Sequence, residues 1–341
     1  MTNTPPAWTS LEKRGIILDT GGPDDWDGGM VECPVIWFDE QRGEFGMVYT
    51  GYRLRAESIG KTFGYTSVTD PQIGLAWSKD LLHWEKDARA PIFGASGVEQ
   101  SPDSHGASGP FLLPPSVSGR SEYLLFYFGV TGTGYEGGRK TLNVATSTDL
   151  VNWSRYEHNP VITPSGDSIP NRWRSEAIWH PNVIRVGESF YCFFNASGEV
   201  DGYHEERIGY AVSDDLFNWN VKDDDCPIVS GSRVQGAWDS AGRAGDPCVF
   251  ESDGQWWMAF YAWDGTSSQD GLMFTSKEAF PLGWHPFVEN PVVRLGPSGS
   301  YDELHAAKPF IVRNDTTHFH FYTAVDGNQG RRIAVATAPL G

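Results

Sequence analysis

The heptapeptide Ser78-Lys79-Asp80-Leu81-Leu82-His83-Trp84 is the most informative stretch of this sequence, because variants of it recur along the whole chain. A second copy occupies residues 147–153, and a third, aligned with one extra Asp, occupies residues 213–219. A degraded copy runs over 276–284 and a truncated one over 333–339. The tryptophans that end the first four copies are 65 to 69 residues apart. A regular period of this kind indicates a repeat architecture.

A second pattern precedes each copy of the heptapeptide: a proline, an alternating apolar run, a turn and an aromatic-rich run, which together predict two strands joined by a hairpin turn. The prolines are Pro34, Pro110, Pro181, Pro247 and Pro309. The aromatic-rich runs predict second strands at residues 45–52, 123–130, 190–196, 256–263 and 318–325. Fourth strands are predicted after the tryptophans, at residues 91–93, 160–162, 227–229 and 291–293.

The fifth repeat has no fourth strand of its own, and the N-terminal run Ile16-Ile17-Leu18 looks like the missing copy. Five four-stranded units predict an all-β, five-bladed β-propeller whose last blade is closed by the N-terminal strand near residues 15–20. Such radial closure leaves only short sheet edges exposed. The shared period argues against two separate domains and against a β-sandwich, so residues 1–341 are predicted to form a single domain.

The composition excludes several classes of protein. Lys and Arg total 26 against 44 Asp and Glu, a formal net charge of −18, so we expect no nucleic-acid partner. There is no apolar run of about 18 residues and no N-terminal basic-then-apolar segment, so we expect neither a membrane partner nor a signal peptide. The four cysteines lack the spacing of a zinc site, and we expect a cytoplasmic protein that keeps them reduced.

The repeats also act as an internal control for functional residues. Residues that recur in every repeat are interpreted as scaffold, so Asp80, Asp149 and Asp214 are predicted to cap turns. Polar residues found in one repeat only, at the start of a first strand, are functional candidates because first strands line the channel of a propeller. Directly before the repeated prolines these are Glu32, His180, Asp246 and Lys308. Slightly upstream they are His105, Arg174, Glu176, Arg243 and His305.

Burial of so many charges is costly unless they pair or bind a ligand, and a structural polar plug in the channel is the alternative. Asp103 is a less specific candidate, because Asp27, Asp239 and Asp302 occupy nearly the same slot in other repeats. A structural role and a functional role beside His105 both stay open for Asp103.

With these residues in view, the sequence resembles the five-bladed propeller glycoside hydrolases, which include families 32, 43, 62, 68, 117 and 130. The resemblance covers nearly the whole chain through phrases such as Gly245-Asp246-Pro247-Cys248-Val249 and residues 208–213. It implies cleavage or transfer of sugars, often furanosides, by carboxyl groups on the first strands of neighbouring blades. Glu32-Cys33-Pro34 reproduces the acid tripeptide of family 32. Family 43 has an Asp-Pro on the first strand of its first blade, where this chain has Cys33-Pro34, and the equivalent Asp-Pro here is Asp246-Pro247 in the fourth repeat.

Two alignments of the catalytic set stay open. Around the ring, Asp246, Lys308 and Glu32 follow the family order of base, helper and acid, with Lys in place of the helper Asp. A direct alignment instead gives Glu32, Asp103 and Glu176. The mechanism needs one protonated and one ionised carboxyl group. The expected substrate-binding residues are His105, Arg174, His180, Arg243, His305 and Lys308, with Trp173, Trp179 and Tyr203 stacking on sugar faces.

Two long loops, at residues 53–70 and 198–207, are predicted to rim the funnel and narrow it to a pocket. The resemblance implies a glycoside hydrolase, with transglycosylation as a related activity, and the two loops favour a small oligosaccharide or glycoside, with a furanoside expected, as its substrate. The alternatives are a phosphorylase like family 130, a sugar-binding propeller without catalysis, and a protein-interaction scaffold.

We expect no cofactor. Calcium in the channel near His180, His105 or His305 stays open, since no ligand spacing demands a metal.

Overall fold

The computed structural model describes residues 5–58, 64–168, 172–200 and 202–340. Alternating apolar residues and hairpin turns fold these residues almost entirely into strands. One four-residue helix, α1 (Pro115–Ser118), and short 3₁₀ turns at Ala7–Thr9, Ala56–Ser58 and Tyr65–Ser67 complete the regular structure of the described residues. In chain order the strands are β1 (Glu12–Leu18), β2 (Met30–Asp39), β3 (Glu44–Leu54), β4 (Val68–Ser78), β5 (Glu85–Lys86), β6 (Gly106–Leu113), β7 (Tyr123–Val130), β8 (Lys140–Ser147), β9 (Ser154–Arg155), β10 (Ala177–Val186), β11 (Ser189–Val200), β12 (Tyr203–Ser213), β13 (Asn220–Val221), β14 (Val229–Ser230), β15 (Arg243–Ser252), β16 (Gln255–Trp263), β17 (Ser268–Ser276), β18 (His285–Pro286), β19 (His305–Arg313), β20 (Thr317–Val325) and β21 (Arg331–Pro339).

Each repeat forms one antiparallel unit. The first three repeats give the sheets β2-β3-β4-β5, β6-β7-β8-β9 and β10-β11-β12-β13, with β14 beside β12. The last two repeats share an eight-stranded sheet, because β17 and β19 make a short parallel contact at Ser268–His305 and Gln269–Ala306. Strand β1 pairs antiparallel with β21, so the N-terminal strand lies in the sheet of the last repeat.

The first strands of the five repeats meet one another. Strand β2 contacts β6, β6 contacts β10, β10 contacts β15, and β15 contacts β19, which in turn contacts β2. The side chains at the centre of this contact circuit therefore come from five different repeats.

A bulge explains the proline that begins each repeated pattern. The strand pairing breaks at this point in every first strand, and proline, which has no N–H to donate to the ladder, fits such a break. The residue before each proline has a positive φ: 57° at Cys33, 52° at Gly109, 42° at His180, 52° at Asp246 and 64° at Lys308. Four of these residues are not glycine, and all four line one narrow channel of about 30 Å³.

The tryptophans of the heptapeptides pack between repeats. The rings of Trp84 and Phe321 are 6.2 Å apart, which joins the first repeat to the second strand of the last. Trp219 lies 6.0 Å from Phe126 in the same way, and Trp284 lies 6.3 Å from Phe193. The hydrophobic core follows these contacts from repeat to repeat. The predicted packing role of the motif tryptophans is confirmed.

The fourth strands are shorter than predicted. Two-residue strands follow the tryptophans, namely β5, β9, β13 and β18. The predicted strands at 91–93, 160–162 and 291–293 are reduced to single bridges at Phe93, Ile162 and Val293, and only β14 forms a short strand. The predicted loop at 198–207 is also wrong, because the hairpin of β11 and β12 extends through most of it. No helix among the described residues is long and apolar enough to cross a membrane.

The turn cap of the third heptapeptide is Asp215, and the prediction of Asp214 is wrong. Asp215 Oδ1 accepts hydrogen bonds from the backbone N–H groups of Phe217 (2.9 Å) and Asn218 (2.7 Å). Asp80 and Asp149 cap their turns in the same way. The copy therefore aligns without an extra residue, and Asp214 only accepts a hydrogen bond from Ser189 Oγ.

We expect Asp215→Ala to lower the free energy of unfolding by about 1 kcal/mol, because the turn loses the acceptor of its N–H groups. Urea unfolding followed by tryptophan fluorescence measures this change. The matched variant Asp214→Ala should cost less than half as much. Equal losses in the two variants would contradict the assignment of the cap.

Candidate active site

The bulged first strands build the floor of a cavity with a volume of about 450 Å³. His180, Asp246 and Lys308 line both this cavity and the narrow channel beneath it. Their positive φ values follow from the bulge before each repeated proline. The repeat architecture thus gathers three blade-specific polar side chains at one point.

The walls come from hairpin ends and loops around the floor. Residues 131–139, between β7 and β8, contribute Tyr135 and Glu136, and strand β12 contributes Glu206. Cationic and aromatic side chains complete the lining: Tyr65, Trp179, Arg243, Tyr261, Trp263, His305 and Arg331. The cavity is therefore lined by carboxylates, cations and aromatic rings from every repeat.

Lys308 is the charged centre of the floor. Its Nζ lies 3.0 Å from His180 Nε2, 3.7 Å from Asp246 Oδ2 and 3.8 Å from Glu136 Oε1. Burial lowers the pKa of Lys308, but the surrounding acidic groups outweigh burial and hold that pKa well above its usual value. Burial, and then Lys308, lower the pKa of His180. An ammonium can only donate, so His180 is a neutral ring that accepts from Lys308 at Nε2.

Asp246 and Glu136 share the single charge of Lys308. Burial raises the pKa of Asp246 to about 7; Lys308 opposes that rise, whereas Glu206, Glu136 and Glu32 add to it. Burial also raises the pKa of Glu136, and the positive charge of Lys308 opposes this rise. Two buried carboxyl groups beside one cation resist joint ionisation, and this favours retention of a proton by the pair.

Glu206 has different surroundings. Its Oε2 accepts hydrogen bonds from the Tyr261 hydroxyl and, at 3.4 Å, from Asn195 Nδ2. Burial and the Glu206 charge raise the pKa of Tyr261, which therefore keeps its proton and donates it. Two hydrogen-bond donors therefore converge on one oxygen of Glu206. The cavity thus contains a proton-holding pair and a separate, hydrogen-bonded carboxylate.

Glu32 lies behind the wall. It is fully buried, and its Oε2 accepts from Arg331 Nη1 (2.9 Å) and from the Tyr135 hydroxyl (3.2 Å). Arg331 Nη2 in turn donates to the Tyr65 hydroxyl at 2.9 Å. Tyr135 directly precedes Glu136, whose φ is 45°. Glu32 therefore anchors the loop that presents Glu136.

Known proteins that are similar to this chain include carbohydrate-active enzymes. No protein-family model matches the chain. It is 32% identical over 190 residues to the extracellular endo-α-(1→5)-L-arabinanase of Thermotoga petrophila, covering 47% of this chain and 40% of that protein. It is 27% identical over 122 residues to the β-1,2-mannobiose phosphorylase of a Thermoanaerobacter species, covering 33% of this chain and 37% of that protein. The chain spans about two fifths of the length of these curated relatives.

A solved structure of a glycoside hydrolase superimposes with a TM-score of 0.75 at 20% identity, covering 96% of this chain and 92% of that one. Other solved structures with this fold are also glycoside hydrolases. The chain therefore shares the propeller-like fold of these glycoside hydrolases. Its curated relatives differ in activity, so no individual family is resolved.

Within this fold, the structure brings six of the predicted site residues to the cavity. They are Trp179, His180, Arg243, Asp246, His305 and Lys308. Glu32 lies next to the cavity without lining it. The remaining predicted residues lie elsewhere: Asp103, His105, Trp173, Arg174, Glu176 and Tyr203.

Glu176 is the main correction. Its carboxylate is 47% exposed and pairs with His204 Nδ1 at 3.0 Å, so it does not share the cavity with Asp246. The direct alignment that used Glu32, Asp103 and Glu176 is therefore not supported by their positions. Tyr203 is also exposed, and Arg233 covers its ring at 3.6 Å.

The sequence leaves both a structural and a functional role open for Asp103, and the contacts of Asp103 indicate the structural role. Its buried carboxylate accepts from the Tyr127 hydroxyl (2.9 Å) and Arg155 Nε (2.7 Å). Asp27 pairs with Tyr49 and Lys86, and Asp302 pairs with Tyr322 and Lys13, in the same arrangement. The recurrence identifies a scaffold contact between a second-strand tyrosine, an aspartate and a cation.

Three further predicted contacts are structural or peripheral. Arg174 makes a bidentate pair with Asp223 at 2.7 and 2.6 Å, and Trp173 Nε1 donates to the same carboxylate at 3.1 Å. These side chains are held by Asp223 and do not face the cavity. His105 lines a separate shallow groove on the surface.

Sequence reasoning missed Glu136, Tyr135, Tyr261 and Arg331, and treated Glu206 only as part of a rim loop. These residues lie outside the short window before each repeated proline. The usable signal for Glu136 was the run 131–139, which contains four glycines.

The channel does not fit calcium. Calcium prefers several oxygen ligands, whereas the Lys308 ammonium lies 3.0 Å from His180 Nε2 and would repel a cation there. His305 Nδ1 accepts from Ser268, and His105 Nδ1 contacts Ser104 Oγ. No group of three potential metal-ligating side chains occurs within the described ranges.

Proposed function

We propose that this chain is a glycoside hydrolase, with transglycosylation as a related activity, whose site lies in the cavity of a closed five-bladed propeller. The contact circuit of β2, β6, β10, β15 and β19 supports the ring of five blades. The observation that carries the function is that Glu136, Glu206 and Asp246 line one cavity while having different environments. Glycoside cleavage needs such a division between a protonated and an ionised carboxyl group.

In the proposed mechanism Glu136 donates the proton to the leaving oxygen. Its side chain is more accessible than that of Asp246, whose Oδ1 is buried without a hydrogen-bond partner in the described part of the chain. Asp246 lies beside the same ammonium, at 3.7 Å, and its charge influences how strongly Glu136 retains its proton. Glu206 acts as the base that activates water or as the nucleophile that attacks the anomeric carbon.

The size and shape of the cavity favour a small substrate. Its floor is closed by His180, Asp246 and Lys308, and a volume of about 450 Å³ suits one or two sugar units. Trp179, Trp263 and Tyr65 supply aromatic faces for sugar rings. Furanosides are the substrate class implied by the superfamily resemblance and the first to test. A cytoplasmic location stays a prediction.

The deciding experiment is a screen of aryl and natural furanosides and pyranosides, with and without inorganic phosphate. Wild-type protein should release sugar from at least one class, and Glu206→Gln should not. Turnover that is equal in wild type and in Glu206→Gln, or absent across the panel, would overturn the proposal. Ligand binding without turnover would instead identify a sugar-binding propeller.

A glycoside phosphorylase is the second candidate function. One curated relative is a β-1,2-mannobiose phosphorylase, and the cavity contains the cationic side chains of Arg243, Lys308 and Arg331. Phosphate is held in proteins by such charge-assisted contacts. Product formation that requires phosphate, and a sugar phosphate as product, would favour this function over hydrolysis.

The pH dependence of the proposed reaction follows from the proton-holding pair. We expect kcat/KM to fall as the pH rises through about 7, because the donor pair loses its proton there. Lys308 lowers the pKa of both Asp246 and Glu136, so Lys308→Met should raise both and move the alkaline limb up by about one pH unit. The pH profile of kcat/KM measures both effects.

Lys79→Met is the matched control, because Lys79 is a surface lysine whose side chain is 84% exposed. Its pH profile should coincide with that of the wild type. An alkaline limb that stays in place in Lys308→Met would contradict the assignment of the proton to the Glu136–Asp246 pair.

A further inference from the structure

Four residues form one row across the strands at the rim of the cavity. Arg243 on β15 faces Trp263 on β16, Trp263 faces Ser268 on β17, and Ser268 faces His305 on β19. All four residues line the cavity. This side of the rim, built by the fourth and fifth repeats, is therefore continuous from a guanidinium to an imidazole.

Arg243 is a cation without an anionic partner. Its Cζ lies 4.5 Å from the centre of the Trp263 ring, and no carboxylate of the described residues lies within 4.0 Å of its guanidinium. The other two cations of the cavity differ, since Lys308 faces Asp246 and Glu136, and Arg331 pairs with Glu32. One positive charge in the cavity is thus left unmatched.

His305 presents a free donor at the other end of the row. Its Nδ1 lies 3.0 Å from the backbone nitrogen of Ser268, which can only donate, so Nδ1 is an acceptor. Burial, followed by Arg331, lowers the pKa of His305 to about 4, so the ring is neutral at pH 7. The proton of the neutral ring then sits on Nε2, which has no hydrogen-bond partner among the described residues.

We propose that Arg243 forms a subsite for a carboxylate of the substrate, so that the glycoside contains a sugar acid, and that His305 Nε2, at the other end of the row, donates to a sugar oxygen. A planar carboxylate matches the fork of one guanidinium, and its single charge matches the single unpaired cation. A phosphate dianion fits less well, because the Glu206 carboxylate lines the same cavity and repels a second negative charge. The inference rests on the proposed glycosidase function.

Binding can be measured without turnover. Glucuronate and galacturonate are titrated against wild-type protein, beside the neutral methyl glucoside and methyl galactoside and inorganic phosphate, with calorimetry and intrinsic tryptophan fluorescence as readouts. Each acid should bind more tightly than its neutral partner. Arg243→Met should weaken the acids roughly 10- to 100-fold, the loss expected for a hydrogen bond to a charged group. Arg243→Lys should lose less than Arg243→Met.

Arg120→Met is the matched control. Arg120 also lies over an aromatic ring, 5.0 Å from that of Phe217, but it does not line the cavity, so its loss should leave the binding of the acids unchanged. Acids that bind no better than neutral sugars, or equally well in Arg243→Met, would overturn the subsite. Saturable phosphate binding without acid binding would also overturn it. Acid binding that depends on Arg243, in a protein with no glycosidase activity, would support the subsite and count against the proposed function.

Discussion

Glu136→Gln is expected to lower kcat/KM by roughly 10²- to 10⁴-fold, the contribution typical of a positioned general acid. Glutamine keeps the size of the side chain but cannot give up a proton to the leaving oxygen. Lys308 at 3.8 Å remains as a cation beside the amide, so the floor keeps its charge. Steady-state kinetics on the substrate found by the glycoside screen measure the change.

The dependence on the leaving group separates acid catalysis from a loss of binding. Aryl glycosides with acidic phenols need little protonation, so Glu136→Gln should lose much less activity on them than on natural glycosides. Glu206→Gln should lose comparable activity on both kinds of substrate. Glu157→Gln is the matched control, because Glu157 is a surface residue whose side chain is 81% exposed. A uniform loss for Glu136→Gln would show that Glu136 acts in binding and not as the acid.

Much of the fold is predictable because its structural contacts repeat. The heptapeptide tryptophans and the second strands recur in the sequence because each packs against the neighbouring repeat in the same way, as Trp84 does against Phe321. The errors arise where repeats diverge. The fourth strands hold only one or two paired residues, too few to give a pattern of alternation. The third turn was misaligned because Asp214 and Asp215 are neighbours of the same residue type.

The candidate site likewise has a floor that the repeats predict and walls that they do not predict. Its floor was predictable, since His180, Asp246 and Lys308 occupy a bulge position that is marked by proline in every repeat. Comparison between repeats also selected residues that do not line the cavity. Arg174, for example, differs from its counterparts because it pairs with Asp223. The walls depend on how far loops and hairpins reach over the cavity. That reach is set by tertiary packing, such as the hydrogen bond from Tyr135 to Glu32, and no local pattern reports it.

Arg331→Met is expected to cause the largest loss of stability, roughly 3 to 5 kcal/mol, because it leaves the buried Glu32 carboxylate without its cation. Arg331 donates to Glu32 at 2.9 Å, and the two side chains are 8% and 0% exposed. Urea unfolding gives the change in the free energy of unfolding. Arg332→Met is the neighbouring control: Arg332 pairs with Asp19 and Asp326, whose side chains are more exposed, and should lose about 1 kcal/mol or less.

The double variant Glu32→Leu/Arg331→Met shows whether the loss comes from the stranded charge. Removing both partners of a buried pair is often close to neutral, because the cost of leaving one charge unpaired disappears with it. The double variant should therefore recover more than half of the stability lost in Arg331→Met. It should still lose activity, since Tyr135 no longer has Glu32 as acceptor and the loop that presents Glu136 is released. A double variant as unstable as Arg331→Met would mean that packing at this position, and not charge, holds the wall together.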